Sequence, residues 1–273
     1  MRLVAWPASE PWIQSQKVNA RFCAFKAYFP CAVTEKTVYE SGFYWANVSG
    51  AFGNVFQKET RMADLDFAAL LCSRLCHDLV SPVGAINNGL EILEEETDAS
   101  MRDAVFDLIN KSTQQTANKL QFFRLAFGAG GGFSAQLDLR EVEKAVRALL
   151  DGSRVELDWQ VSELSGSKSL VKLLLNVCLI CSEALIRGGT LRVGLEKTGD
   201  EFALEVESSG QRIIIQNAVI DGLQGKLSMT DLDPRNVPAH LASCVAAELG
   251  STLTVDLKGE TNLTVKALIN STN

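Results

Sequence analysis

Two histidines and seven cysteines are the side chains of this 273-residue chain best suited to nucleophilic or metal-binding chemistry. Imidazole suits nucleophilic work because its neutral form persists near pH 7 and exposes a ring nitrogen. His240 follows Pro238 at an expected helix start and reads as structural. His77 has a richer setting. Asp78 is its neighbour, and Ser81, Gly84 and Asn88 stack above it on one face of the helix expected there. These positions leave room for a partner. The plainer alternative is a solvated stripe, since a lone histidine on a helix is usually a surface residue. Pro82 weighs against it. Mid-helix it removes the hydrogen bond to the Asp78 carbonyl and costs roughly 3 kcal/mol. A cost of that size, one turn past the histidine, marks a deliberately loosened helix. Asp78 could orient the ring or accept a proton, or be an ordinary solvated carboxylate.

The cysteines are less promising. Cys72/Cys76 and Cys178/Cys181 have the spacing of one helix face and sit among Leu, Val and Ile. A zinc site would want a second ligand pair on a turn. They are expected to be small buried apolar residues in a reducing cytosol, with no metal bound by this chain.

The elements that must carry His77 are helices. Leu65, Ala69, Cys72, Cys76, Leu79, Val83, Ile86, Leu90 and Leu93 recur with 4,3 spacing, which predicts a heptad helix from Met62. Glu94, Glu95 and Glu96 end it, and Asp98 or Ser100 can cap a second helix over about Ser100 to Phe127. That helix carries a weaker stripe of Val105, Ile109, Ser112, Thr116, Leu120, Phe123 and Phe127. A hairpin of two helices closes its seam most economically by dimerising into a four-helix bundle. His77 lies one residue past seam position Cys76 and points sideways or outward.

Residues 1–61 differ from the rest. They hold 7 basic and 4 acidic residues, 12 of the 20 aromatics and a single leucine, Leu3; residues 62–273 hold 19 basic and 29 acidic. The formal charge of −7 is thus +3 joined to −10. The acidic balance argues against a nucleic-acid or anionic-membrane partner. The opening stretch is too interrupted for a secretory signal, and Ser41 to Gln57 is too polar to span a bilayer and shows no sustained period. Residues 1–61 are expected to be an extension outside the functional fold, an upstream-start artefact, rather than a small aromatic recognition module.

Beyond Gly128 to Gly132, a linker with no Gly-Lys-Ser/Thr, the pattern alternates. It predicts helices at Leu139–Leu150, Ser169–Ile186 and Ala239–Leu249. Strands are expected at Val155–Val161, Thr190–Glu196, Phe202–Glu207, Thr252–Leu257 and Leu263–Ile269. The fold class is α+β: a helical hairpin over 62–127, linker 128–132, then an α/β sandwich with one mixed sheet over 133–270.

The run from Cys76 to Ile86 resembles the H-box of sensor histidine kinases: His, acid, Leu, any residue, Ser/Thr/Asn, Pro, an aliphatic residue, and Ile three positions on. The resemblance implies that His77 carries a phosphoryl group. The order of elements after the linker is similar to the kinase ATP-binding domain, but its nucleotide boxes do not match. The Mg²⁺-holding Asn falls on Ile180, although the upstream Asn is present as Asn176. Asp-x-Gly-x-Gly falls on Ser208 to Arg212, and Gly-x-Gly-Leu on Asn236 to Ala239. Without these groups ATP has neither a counter-ion site nor glycines admitting its phosphates.

Residues 62–270 as a whole resemble the ChpT type of histidine phosphotransferase. That resemblance implies a cytoplasmic homodimer taking phosphoryl from the receiver domain of a hybrid histidine kinase of the CckA type. It would pass the group to response regulators of the CtrA and CpdR types that control the cell cycle. Mg²⁺ would be supplied by the receiver's acidic site, with neither ATP nor a metal held here. Ser81, Gly84 and Asn88 would form the receiver-docking face. Two alternatives stay open: an ATP-dependent sensor kinase, and a non-enzymatic dimeric scaffold that binds receivers.

Overall fold

A computed structural model describes residues 42–128 and 136–270, with side chains from residue 64 onward. The chain divides after Thr60, and Arg61–Asn273 forms one compact unit. Residues 1–41, most of the expected extension 1–61, lie outside the described residues, as do Cys23, Cys31 and residues 129–135, which include all of the expected linker 128–132 but Gly128.

Helix α1 (Gly42–Glu95) starts well before the predicted Met62. No proline falls between Pro30 and Pro82, and a helix once nucleated extends at the gain of one hydrogen bond per residue, without an apolar period. Helix α2 (Ala99–Ala126) returns antiparallel after a short turn. Asp98 is its N-cap, accepting from the Met101 N–H at 2.9 Å. Gly89 sets how closely the helices meet: a Cβ there would lie 2.7 Å from Cγ1 of Ile109. On α2 the predicted stripe faces inward at Val105, Ser112 and Phe123, while Leu120 is exposed.

The α1 seam does not lie where the heptad count alone puts it in a single chain. Leu65, Ala69, Cys72, Cys76, Val83 and Leu90 are exposed, and the buried positions are Arg74, Pro82 and Gly89. The helix therefore has two apolar faces. One packs on α2 and the sandwich; the other is a one-sided stripe left open. By length and composition Asp64–Glu95 could cross a bilayer, but its inward face carries the ion pair of Arg74 and Asp78.

The sandwich follows: β1 (Gln136–Asp138), α3 (Leu139–Leu150), β2 (Val155–Val161), β3 (Ser165–Ser167), α4 (Lys168–Glu183), β4 (Gly189–Thr198), β5 (Glu201–Ser209), α5 (Asn217–Leu223), a 3₁₀ turn at Met229–Asp231, α6 (Val237–Glu248), β6 (Thr254–Lys258) and β7 (Asn262–Asn270). The main sheet has the order β2-β4-β5-β7-β6, parallel only at β2–β4, and β1–β3 form a separate ribbon. The fold class is the expected α+β. Helix α4 is apolar on nearly every face and buries eleven consecutive or near-consecutive residues from Leu170 to Cys181, which makes it the central helix. Leu191, Val193 and Leu195 of β4 and Leu263, Val265 and Ile269 of β7 meet it from the sheet. Phe122, Phe123, Leu125 and Ala126 at the end of α2 join the same core, so hairpin and sandwich share one interior. The elements absent from the sequence reading, β1, β3 and α5, are three, three and seven residues long, too short to show a period.

Candidate functional site

His77 stands on the outer side of α1, its side chain 72% exposed. Its Nδ1 lies 3.1 Å from Oδ1 of Asp78, which is itself largely buried. An ionised carboxylate only accepts, so Nδ1 carries the ring proton and donates it to Asp78. Nε2 is then the nitrogen with a free lone pair. Asp78 is held in turn: its Oδ2 accepts from Nε of Arg74 at 3.0 Å. Arg74 is 6% exposed and its Nη2 donates to Oε1 of Glu183, the last residue of α4. Burial pushes the Glu183 carboxyl up, and the Arg74 charge pulls against it.

Pro82 is buried and α1 continues through it. The Asp78 carbonyl that Pro82 deprives of its helical N–H accepts instead from Nζ of Lys119 on α2 at 2.9 Å. The expected loosening is thus compensated by a cross-helix bond at the residue beside His77. Ser81 and Asn88 are exposed, and a Cβ built on Gly84 would find nothing within 4 Å. The predicted face beside His77 is open along its length. On the other side His77, Asp78 and Arg74 line a cleft of about 290 Å³ whose far wall is Ile180, Ile186, Ile214 and Arg235 of the sandwich.

The positions that correspond to nucleotide boxes are committed to the fold. Ile180 is buried in the shared core. Ser208 is fully buried and its hydroxyl donates to the Cys181 carbonyl at 2.8 Å. Arg212 pairs with Glu260 at 3.4 Å. Asn236 accepts from the Asp233 N–H at 2.8 Å and donates to the Asp231 carbonyl at 3.0 Å, while Val237, Pro238 and Ala239 are buried. The upstream Asn176 donates to the carbonyl of Ala126 at 3.0 Å, tying the end of α2 to α4. These residues do not fit a Mg²⁺-nucleotide: Ile180 offers no oxygen at the metal-ligand position, and side chains fill three of the four glycine positions, Gly210 alone remaining. Among the described residues no group of three or more His, Cys, Asp and Glu is placed to hold a metal ion.

His240 is half-buried on α6, edge-on to Phe67 of α1 with ring centroids 5.8 Å apart. Burial lowers its pKa, in keeping with a packing role. Cys178 and Cys181 are buried as expected, the latter thiol pushed up to about 12 by burial. Cys72 and Cys76 are exposed, contrary to the expectation that they are buried, and Cys244 is exposed as well. Cys72 and Cys76 do lie on the apolar face, but it is the face that a single chain leaves open.

Arg74, Lys119 and Glu183 escaped the sequence reading. Arg74 had a local signal, four residues before Asp78 on an otherwise apolar stretch. Glu183 had none, being 109 residues from its partner.

The family model for the histidine phosphotransferase C-terminal domain matches residues 139–261. The chain is similar to the protein phosphotransferase ChpT of Brucella abortus (strain 2308), 34% identical over 199 residues that cover 73% of this chain and 94% of that protein. It is also similar to a solved bacterial phosphotransferase structure at 33% identity and a TM-score of 0.66, covering 74% of this chain and 96% of that one.

Proposed function

Because this chain belongs to the ChpT family of histidine phosphotransferases, we propose that His77 is the residue through which it relays phosphoryl groups between receiver domains. The observation that carries the assignment is the Nδ1–Asp78 hydrogen bond on an exposed ring; with the carboxylate accepting, the neutral ring keeps its lone pair at Nε2.

In the forward step the Nε2 lone pair attacks the phosphorus of an aspartyl phosphate on a receiver. The N–P bond forms as the P–O bond to the receiver's Asp breaks, its electron pair leaving with the carboxylate. The ring gains positive charge, which Asp78 offsets through Nδ1–H. In the onward step the carboxylate of a second receiver attacks phosphorus, and the N–P electron pair returns to Nε2. Catalysis by this chain is chiefly placement of Nε2 in line with the bond that breaks. Mg²⁺ belongs to the receiver's acidic site, and neither ATP nor a metal is held here.

Ser81, Gly84 and Asn88 form the docking face, supported by the exposure of Ser81 and Asn88 and by the open space above Gly84 on the helix face shared with His77. The donor is the receiver of a hybrid histidine kinase of the CckA type, and the acceptors are response regulators of the CtrA and CpdR types. The working form is a cytoplasmic homodimer, with no direct nucleic-acid or membrane partner. The open stripe of Leu65, Cys72, Cys76, Val83 and Leu90 supports a four-helix bundle formed with a second copy. Residues 1–61 are an extension outside this function.

The test is the His77→Ala variant mixed with a phosphorylated receiver. Uptake of the phosphoryl group vanishes while binding of the receiver is retained. Unchanged uptake would defeat the assignment; binding without uptake in the parent chain would favour the scaffold.

A further inference from the structure

Asp78 has two oxygens and two suitors. Oδ1 accepts from the His77 ring, and Oδ2 accepts from Nε of Arg74. An Arg–carboxylate pair ordinarily closes as a fork, two parallel N–H donors onto both oxygens. Here the bonds divide instead: Nε of Arg74 donates to Asp78 and Nη2 to Glu183. Arg74 is buried, its guanidinium pinned between two carboxylates, one on α1 and one at the end of α4. Lys119 fixes the backbone of the same Asp78 from α2. Three elements therefore converge on the residue that holds the ring proton, and one of them belongs to the sandwich.

We propose that Glu183 is a positioning residue for His77: by holding Nη2 of Arg74 it fixes the guanidinium and, through Nε, the Asp78 carboxylate in the orientation that turns Oδ1 to Nδ1–H, so the sandwich domain sets which imidazole nitrogen is available. This rests on the reading of His77 as the phosphoryl carrier. Without Glu183, Arg74 is released to turn and close a fork on Asp78, and the carboxylate swings with it. Oδ1 moves off the line of Nδ1–H, the ring proton spreads to Nε2, and the nucleophilic lone pair is withdrawn from the exposed side. The sandwich, unsuited to a nucleotide, thereby has a part in the chemistry through its central helix.

The experiment uses the full chain labelled with ¹⁵N, its two imidazoles resolved by long-range proton–nitrogen correlation at about pH 8, where imidazole is neutral. His77→Ala identifies the His77 ring. In the parent chain Nδ1 of His77 is protonated and Nε2 is not. In Glu183→Ala the proton moves substantially to Nε2, and phosphoryl uptake from a phosphorylated receiver slows by about tenfold. Glu183→Gln still accepts from Arg74 and keeps the parent pattern. An unchanged His77 ring in Glu183→Ala overturns the proposal, whether or not uptake falls, since lost uptake with the ring intact is a merely structural effect. The ring measurement needs no receiver. A ring that responds in a chain that never takes up phosphoryl would leave the positioning role standing and sink the phosphotransfer reading.

Discussion

Lys119 answers a defect that Pro82 creates. A proline in a helix interior removes a donor, and the carbonyl left behind costs about 1–3 kcal/mol if buried without a partner. The Asp78 carbonyl finds that partner across the hairpin, so the loosening that Pro82 signals in the sequence is answered by a cross-helix tie. His77, Asp78 and Pro82 were legible because their meaning is local, contained within one and a half turns. Arg74–Glu183 was not, because an ion pair between distant segments leaves no spacing to read. His240 gives a pH test at this scale. Burial lowers its folded pKa below the ordinary 6.5, so the unfolded chain binds a proton more readily. Its contribution to stability is complete above pH 6.5 and is lost as pH falls through that value toward the lower folded one. Chemical denaturation at a series of pH values between about 7 and 5 should show a falling midpoint in the parent chain. His240→Gln should flatten that slope, and an equal slope in both would refute the assignment.

Two glycines on α1 show how one element serves two masters. Gly89 faces α2, where a Cβ would press on Ile109 at 2.7 Å; Gly84 faces open space. Gly89→Ala should destabilise the chain by about 1–3 kcal/mol through overpacking. Gly84→Ala should stabilise it by up to about 1 kcal/mol, since alanine is the better helix former, yet weaken receiver binding and slow transfer. Thermal unfolding and a transfer assay on both variants check the pair; unaltered transfer in Gly84→Ala would remove that face from the docking surface. The heptad period found the helix and its open stripe. It could not tell that the stripe is left uncovered within one chain, because periodicity reports which side is apolar and not what covers it. Helices α3 and α4 and strands β2, β4, β5 and β7 were equally legible, each long enough to show alternation or a run of apolar residues. The ribbon β1–β3 was hidden, since Ser165-Gly166-Ser167 pairs through its backbone with no side-chain signal.

At the scale of the molecule, the hairpin is anchored at one end in the sandwich core and carries an apolar stripe along its free face. Cys72 and Cys76 sit on that stripe as exposed thiols, and an exposed thiolate reacts readily with an alkylating agent. If a second copy covers the stripe, their alkylation slows as protein concentration rises, whereas Cys244, exposed on α6, serves as a concentration-independent reference. Rates that stay constant over that range would argue against the bundle. In the sandwich Ile180, Ser208 and Asn236 are given over to packing and capping. Its remaining contact with the chemistry runs through Glu183. The central claim is that this chain carries a phosphoryl group on His77 that arrives from a receiver and not from ATP. Its most direct test is a receiver bearing a labelled aspartyl phosphate, freed of nucleotide and added to the chain. The account predicts acid-labile label on the chain, located at Nε2 of His77 and lost again on adding a second receiver. Label that appears only when ATP is supplied, or that survives in His77→Ala, would contradict it.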